Sequence, residues 1–266
     1  MTKIQLNNSL SKNSSLVPQE ISPTHLFQDE GGEKTREVES NLKHIKPKRH
    51  ARDVFHAWML NGAQYNGPLS MPILKPVFAN PERLIAFSDA MKPKCKDFNQ
   101  VVHFFEDDCI IERFWSNPKA YVKKLSKFQG VIGLDYSVCW DFPVALKNYN
   151  YYRNNVCTYW MQQVFNLAIP QARCETNNYE AVLAGHPKHS TIAIGARSMV
   201  RDTDDRTVLK DSIKLVVDYL EPTNLLWYGS IQYGVADYPR EMGIPITVYP
   251  GKGRGLLSCG HMGGDF

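Results

Sequence analysis

From residue 100 onward the chain alternates two hydrophobic rhythms. Short, nearly unbroken apolar runs recur at "QVVHFFED" (100–107), "GVIGLDYS" (130–137), "NLAIPQARC" (166–174), "HSTIAIGAR" (189–197), "TNLLWYGS" (223–230) and "IPITVYPG" (244–251). Their length and apolar continuity predict strands buried on both faces. Between them the spacing changes to that of helices: "NPKAYVKKLSKF" (117–128), "DFPVALKNYNYYRNNVCTYWMQQVF" (141–165) and "TVLKDSIKLVVDYL" (207–220). Asn117 stands as N-cap with Pro118 at the first helical position, and Asp141 is placed to cap the second helix. Strands alternating with helices predict an α/β fold, a three-layer sandwich with a mainly parallel central sheet.

Residues 53–99 mix large apolar residues with Gly and Pro and read as packed but irregular. Residues 1–52 are rich in Asn, Ser, Lys and Glu and predict a poorly ordered tail, leaving 53–266 as a single α/β domain. The tail ends in "KHIKPKRHAR", where Lys46, Lys48 and Arg49 form a basic arm suited to DNA phosphates or to a solvated tether.

In a parallel sheet, ligands bind beyond the carboxyl ends of the strands. Asp135 stands at such an end, where it either hydrogen-bonds the following loop or does chemistry. Asp141 follows as a second acid, with Tyr136 and Trp140 as walls for a flat ring. Arg153 sits among tyrosines in "NYNYYRNN", which suits stacking or phosphate contact. The last run leads into "YPGKGRG" (249–255), whose glycines can turn backbone N–H groups toward an anion while Lys252 and Arg254 supply charge. The acids of "FFEDDCIIERFW" (104–115) either gather a divalent cation or form a solvated turn before a helix.

Bulk composition narrows the class without choosing the chemistry. The chain has 266 residues, 43% hydrophobic and 22% charged, with a formal net charge of +4. That is an ordinary globular balance, too weakly basic by itself to argue for nucleic acid. The six cysteines are scattered with no CxxC pair, which predicts reduced thiols and a cytoplasmic protein. The first residues hold no apolar h-region, and no run of about 18 apolar residues occurs, so neither a secretory signal nor a membrane span is expected.

The stretches "FEDDCIIERFWSNPKAYVKKL", "GLDYS" and "DFPVALKNYNYYRNN" resemble a bacterial and phage-borne family of unknown function over residues 55–255. That resemblance implies a mobile-element or phage-conflict setting. The order of parts is also similar to the uracil-DNA glycosylase superfamily: "GLDYS" stands where its water-activating loop would be, "NLLWYGSI" resembles its penultimate strand, and "VYPGKGRGLLS" its DNA-gripping loop. This second resemblance implies Asp135 as the catalytic carboxylate and Tyr249 where a base-contacting His would stand. Lys252 and Arg254 would grip the DNA. The sequence departs from the pattern in lacking Pro after Asp135 and in the extra strand at 189–197. These departures point away from uracil, and the phage setting suggests instead resemblance to an anti-phage glycosylase that removes a hypermodified cytosine.

The resulting expectation is a DNA glycosylase of anti-phage defence. It acts on double-stranded DNA with modified bases, flips the base, and needs no metal and no cofactor. Asp135 and Asp141 are its expected catalytic residues, and Tyr136, Trp140, Arg153 and Tyr249 its substrate contacts. The alternatives are a metal-dependent nuclease using Glu106, Asp107, Asp108 and Asp135, or a non-catalytic DNA-binding accessory protein.

Overall fold

The structure, a computed structural model, describes residues 53–197 and 199–251. A 3-10 turn at Ala57–Leu60 and a two-residue antiparallel hairpin, β1 (Tyr65–Asn66) with β2 (Met71–Pro72), precede the main sheet system. Then come β3 (Leu84–Ala86), α1 (Phe87–Ala90), β4 (Val101–Phe104), α2 (Asp108–Ser116), α3 (Pro118–Leu125) and β5 (Gly130–Leu134). They are followed by α4 (Val144–Val164), β6 (Ala168–Ile169), α5 (Tyr179–Leu183), β7 (Thr191–Gly195) and α6 (Thr203–Leu220), then β8 (Asn224–Tyr228), α7 (Asp237–Glu241) and β9 (Ile246–Tyr249). None of the helices among the described residues is long and apolar enough to cross a membrane.

Strands β3 to β6 form a four-stranded sheet and β7 to β9 a three-stranded one, every neighbouring pair parallel and in sequence order. The two sheets meet where Gln171 bridges Ala193: the Ala193 N–H donates to Pro170 O (2.9 Å) and the Ala172 N–H to Ala193 O (3.1 Å). The combined surface is rolled. In a flat sheet β4 and β8 would stand four spacings, roughly 19 Å, apart. Instead His103 of β4 and Tyr228 of β8 have ring centroids 4.1 Å apart, and Phe105 stacks on Tyr228 at 5.4 Å.

Alternation along each strand sorts the core accordingly. Val101, Ile132, Ile169, Ala193, Leu226 and Tyr249 from successive strands share one inner cluster. Their neighbours Val102 and Val131 face α2, α3 and α4, while Ile192, Leu225 and Trp227 face α6. The expected α/β class with parallel strands is present, but the three-layer sandwich is corrected. One face of the sheet closes on itself, and helices cover the other. Residues 77–81 cross the end where the strands begin. There Thr191 N–H donates to Val77 O (2.7 Å), and the Thr247 hydroxyl donates to Asn80 Oδ1 (2.6 Å).

Two local expectations fare differently. Asn117 and Pro118 do open α3, although Asn117 makes no side-chain cap bond. Asp141 is not the cap: α4 starts at Val144 with Pro143 in the cap position and no side-chain cap bond.

Candidate active site at the strand ends

Asp135 follows the last residue of β5, so its backbone is set by a strand buried along its whole length. The loop behind it is pinned from two helices. Asp108, the first residue of α2, accepts from the Ser137 N–H (3.0 Å) and hydroxyl (3.1 Å). From α4, Asn154 Oδ1 accepts from the Tyr136 N–H (2.9 Å), and Asn150 donates to Ser137 O (2.6 Å). With the loop held, the Asp135 side chain enters the rolled interior, where it is only 9% exposed.

Its partners come from the chain after β6. Gln171 donates to Oδ1 (2.7 Å) and Arg173 to Oδ2 (3.0 Å). Residues 171 and 173 share a face because side chains alternate along extended backbone. Arg173 also donates to Gly195 O (3.2 Å), so three strand ends converge on one carboxylate. Gly195 is the residue that lets it in: a Cβ there would stand 2.5 Å from Phe105 Cδ1 and 2.8 Å from Asp135 Oδ2. Burial pushes the Asp135 carboxyl above the usual carboxylate range, against the pull of the Arg173 guanidinium, with Asp108 adding to the rise.

On its far side Arg173 borders a narrow cavity of about 20 Å³, lined also by Tyr151, Cys174, Glu175, Met199 and Ser212. That is room for one water molecule. The Tyr151 hydroxyl is buried with no partner among the described residues, and its phenol is pushed up chiefly by burial. Glu175 is engaged from the side by Lys147 at 2.9 Å. Beneath Gln171, His186 Nε2 lies 2.9 Å from Gln171 O and must carry the proton there. Its Nδ1 is buried with no partner among the described residues. Burial accordingly lowers the His186 pKa to about 4.

Other residues expected at the site are elsewhere. Tyr136 is buried on the helix-facing side, donating to Glu112 at 2.9 Å, since adjacent residues leave an extended segment in opposite directions. Arg153 does stack, but on protein: its guanidinium lies 3.6 Å from the Tyr136 ring centroid and 4.8 Å from that of Tyr149, and it pairs with Glu112 at 3.1 Å. Trp140 is 66% exposed in the loop after β5. Asp141 is exposed in the following loop and is not gathered with Asp135. Tyr249 is buried in the inner cluster, its hydroxyl donating to Pro81 O, and is no free contact for a base. Lys46, Lys48, Arg49, Lys252 and Arg254 lie outside the described residues.

The acids of 104–115 also separate. Glu106 binds the Ser88 hydroxyl and N–H, whereas Asp108 holds Ser137. Among the described residues no group of three or more His, Cys, Asp or Glu side chains gathers around one point. Cys95, Cys109, Cys157 and Cys174 are free thiols as expected, but Cys139 is disulfide-bonded.

Arg173 is legible in the sequence as a strand-end residue, but its pairing with Asp135 is not, nor are Gln171 as the second partner and Asn150 and Asn154 as the clamps of the loop. The alternating polar residues of "QAR" after an apolar pair were the signal for Gln171 and Arg173. The asparagines were hidden among tyrosines.

Residues 63–242 match a family described as "Domain of unknown function (DUF4417)". Among curated proteins, the chain is similar to the "Gene 1 protein" of Mycobacterium phage D29, 25% identical over 168 residues, and that of Mycobacterium phage L5, 26% identical over 169 residues. The match covers 61% of this chain in both cases, 61% of the D29 protein and 72% of the L5 protein. No solved structure matches.

Proposed function

The chain belongs to the DUF4417 family, and from the geometry of its strand ends we propose that it is a DNA glycosylase whose reacting pair is Asp135 with Arg173. The observation that carries the reading is a single buried carboxylate at a strand tip with a guanidinium 3.0 Å away. Sheets rolled in this way bind substrates at the carboxyl ends of their strands. Departure of a base leaves positive charge on the sugar and negative charge on the base. Asp135 suits the first as charge stabiliser or water activator, and Arg173 suits the second.

In the reaction a water oxygen bonds to the sugar C1′ as the N-glycosidic bond breaks. The bond's electron pair leaves with the base, and Asp135 accepts the proton from water. The substrate class is a modified base in double-stranded DNA, flipped out of the stack. Hypermodified cytosine of phage DNA, removed in anti-phage defence, is the specific form of the proposal; the phage relatives support a phage setting. The rolled sheet with strands in sequence order gives no support to a uracil-DNA-glycosylase-like sandwich, so the reading rests on the site and not on fold analogy.

One observation favours a second reading. Both carboxylate oxygens of Asp135 are occupied, which also ties the end of β5 to the chain after β6 with no chemistry, as in a non-catalytic DNA-binding protein. The two readings separate on incubation with phage DNA carrying modified bases, in chelator, followed by alkali. A glycosylase leaves alkali-labile abasic sites and free base, and a binding protein leaves the DNA intact. Breaks that need Mg²⁺ and no alkali would point to a nuclease.

A further inference from the structure

The helix between β4 and β5 carries a charge pattern that the strand-end site does not use. In α3 and the turn after it, Lys119, Lys123 and Lys127 repeat every four residues and so lie along one side. The segment leading to β4 adds Lys92, Lys94 and Lys96. The two stretches touch: the Lys124 ammonium donates to Lys92 O (2.7 Å), Phe98 packs edge-on against Phe128 (5.1 Å), and Lys127 lies over the Phe98 ring (5.6 Å).

Few acids among the described residues answer these charges. α3 contains none. Asp89 is taken by Lys92 and Asp97 by Arg83. Lys94, Lys96, Lys119, Lys123 and Lys127 are exposed and enter none of the ion pairs among the described residues. Chain direction places much of this patch beside the starts of β4 and β5, the end of the sheet away from Asp135.

We propose that this lysine surface binds the phosphate backbone of a nucleic acid, independently of the base at the strand-end site. Lysine ammoniums are strongly hydrated point charges, suited to sequence-independent phosphate contact and not to bidentate recognition of one group. A lipid surface fits less well, because an interfacial helix needs an apolar face beside its cations. None of the exposed large hydrophobics falls in 92–98 or 117–128. The proposal does not depend on the glycosylase reading, since it needs no chemistry at Asp135.

The test uses the full chain with Lys94, Lys96, Lys119 and Lys123 all changed to Gln. These side chains are exposed, and circular dichroism should match the parent. Binding to a short unmodified DNA duplex is followed by fluorescence anisotropy across a salt series, with duplex RNA and phosphatidylserine vesicles as parallel probes. The expected result is a salt slope shallower by about 0.9 for each lysine that no longer meets a phosphate, and weaker binding of unrelated sequences alike. Lysine-dependent binding of RNA in place of DNA supports the same surface with the other backbone. Unchanged affinity and slope on both nucleic acids, or loss of vesicle binding alone, would overturn it. Asp135→Asn leaves this readout untouched, so failure here and failure at the active site are separate results.

Discussion

Arg173 reaches Asp135 at 3.0 Å across the ends of two neighbouring strands, and neither side chain is at the surface: they are 18% and 9% exposed. Burial raises the Asp135 carboxyl while the Arg173 guanidinium opposes the rise, so each side chain sets the surroundings of the other.

Removing one member should expose the cost of the other. Arg173→Met leaves Asp135 buried without its cation, and urea denaturation should show a loss of about 3 kcal/mol. The double variant Asp135→Leu with Arg173→Met should recover part of it, since two apolar groups leave no unpaired charge. Additive losses in the double variant would mean that the pair is not coupled.

Gly195→Ala tests the close approach of β7. The added methyl would meet Phe105 and Asp135 inside 3 Å, so one of them must shift. A stability loss of about 1–3 kcal/mol is expected from overpacking, with activity falling further than stability explains. A variant as stable and active as the parent would show that Asp135 has room to spare.

His186 supplies a pH dependence. Its pKa is about 4 in the folded chain, below the ordinary value of 6.5. The folded state therefore binds fewer protons, and its contribution is present above about pH 6.5 and is lost as pH falls toward 4. Urea melts at about pH 5 and about pH 7.5 should show the parent losing about 2 kcal/mol more than His186→Gln over that interval. Equal losses would mean that His186 protonates freely in the folded state.

Arg153→Ala separates packing from substrate contact. The guanidinium spans Tyr136, Tyr149 and Glu112, so its removal should cost about 2–4 kcal/mol in a denaturant melt. At temperatures where the variant is folded, its DNA affinity should equal the parent's. A selective loss of DNA binding would return Arg153 to the substrate contacts.

Much of the framework was legible. The apolar runs of β5, β7, β8 and β9 and the Asn117–Pro118 helix start are local features, and local pattern reports them. The roll of the sheet was not, because it depends on which strands touch across the interior, as His103 and Tyr228 do. Asp135 was legible as a strand-end acid, but Tyr136 and Trp140 were misplaced by sequence nearness. In extended backbone, neighbours face apart, and the true partners Gln171 and Arg173 lie more than thirty positions away. Short β3 and the α2 helix were blurred by mixed composition.

The central claim is tested most directly by Asp135→Asn in the abasic-site assay on modified phage DNA, in chelator, well below the melting midpoint. The account predicts retained DNA binding and a rate lower by about 10²–10⁴-fold, the range for a positioned acid–base group. Abasic sites forming at the parent's rate in Asp135→Asn would contradict it.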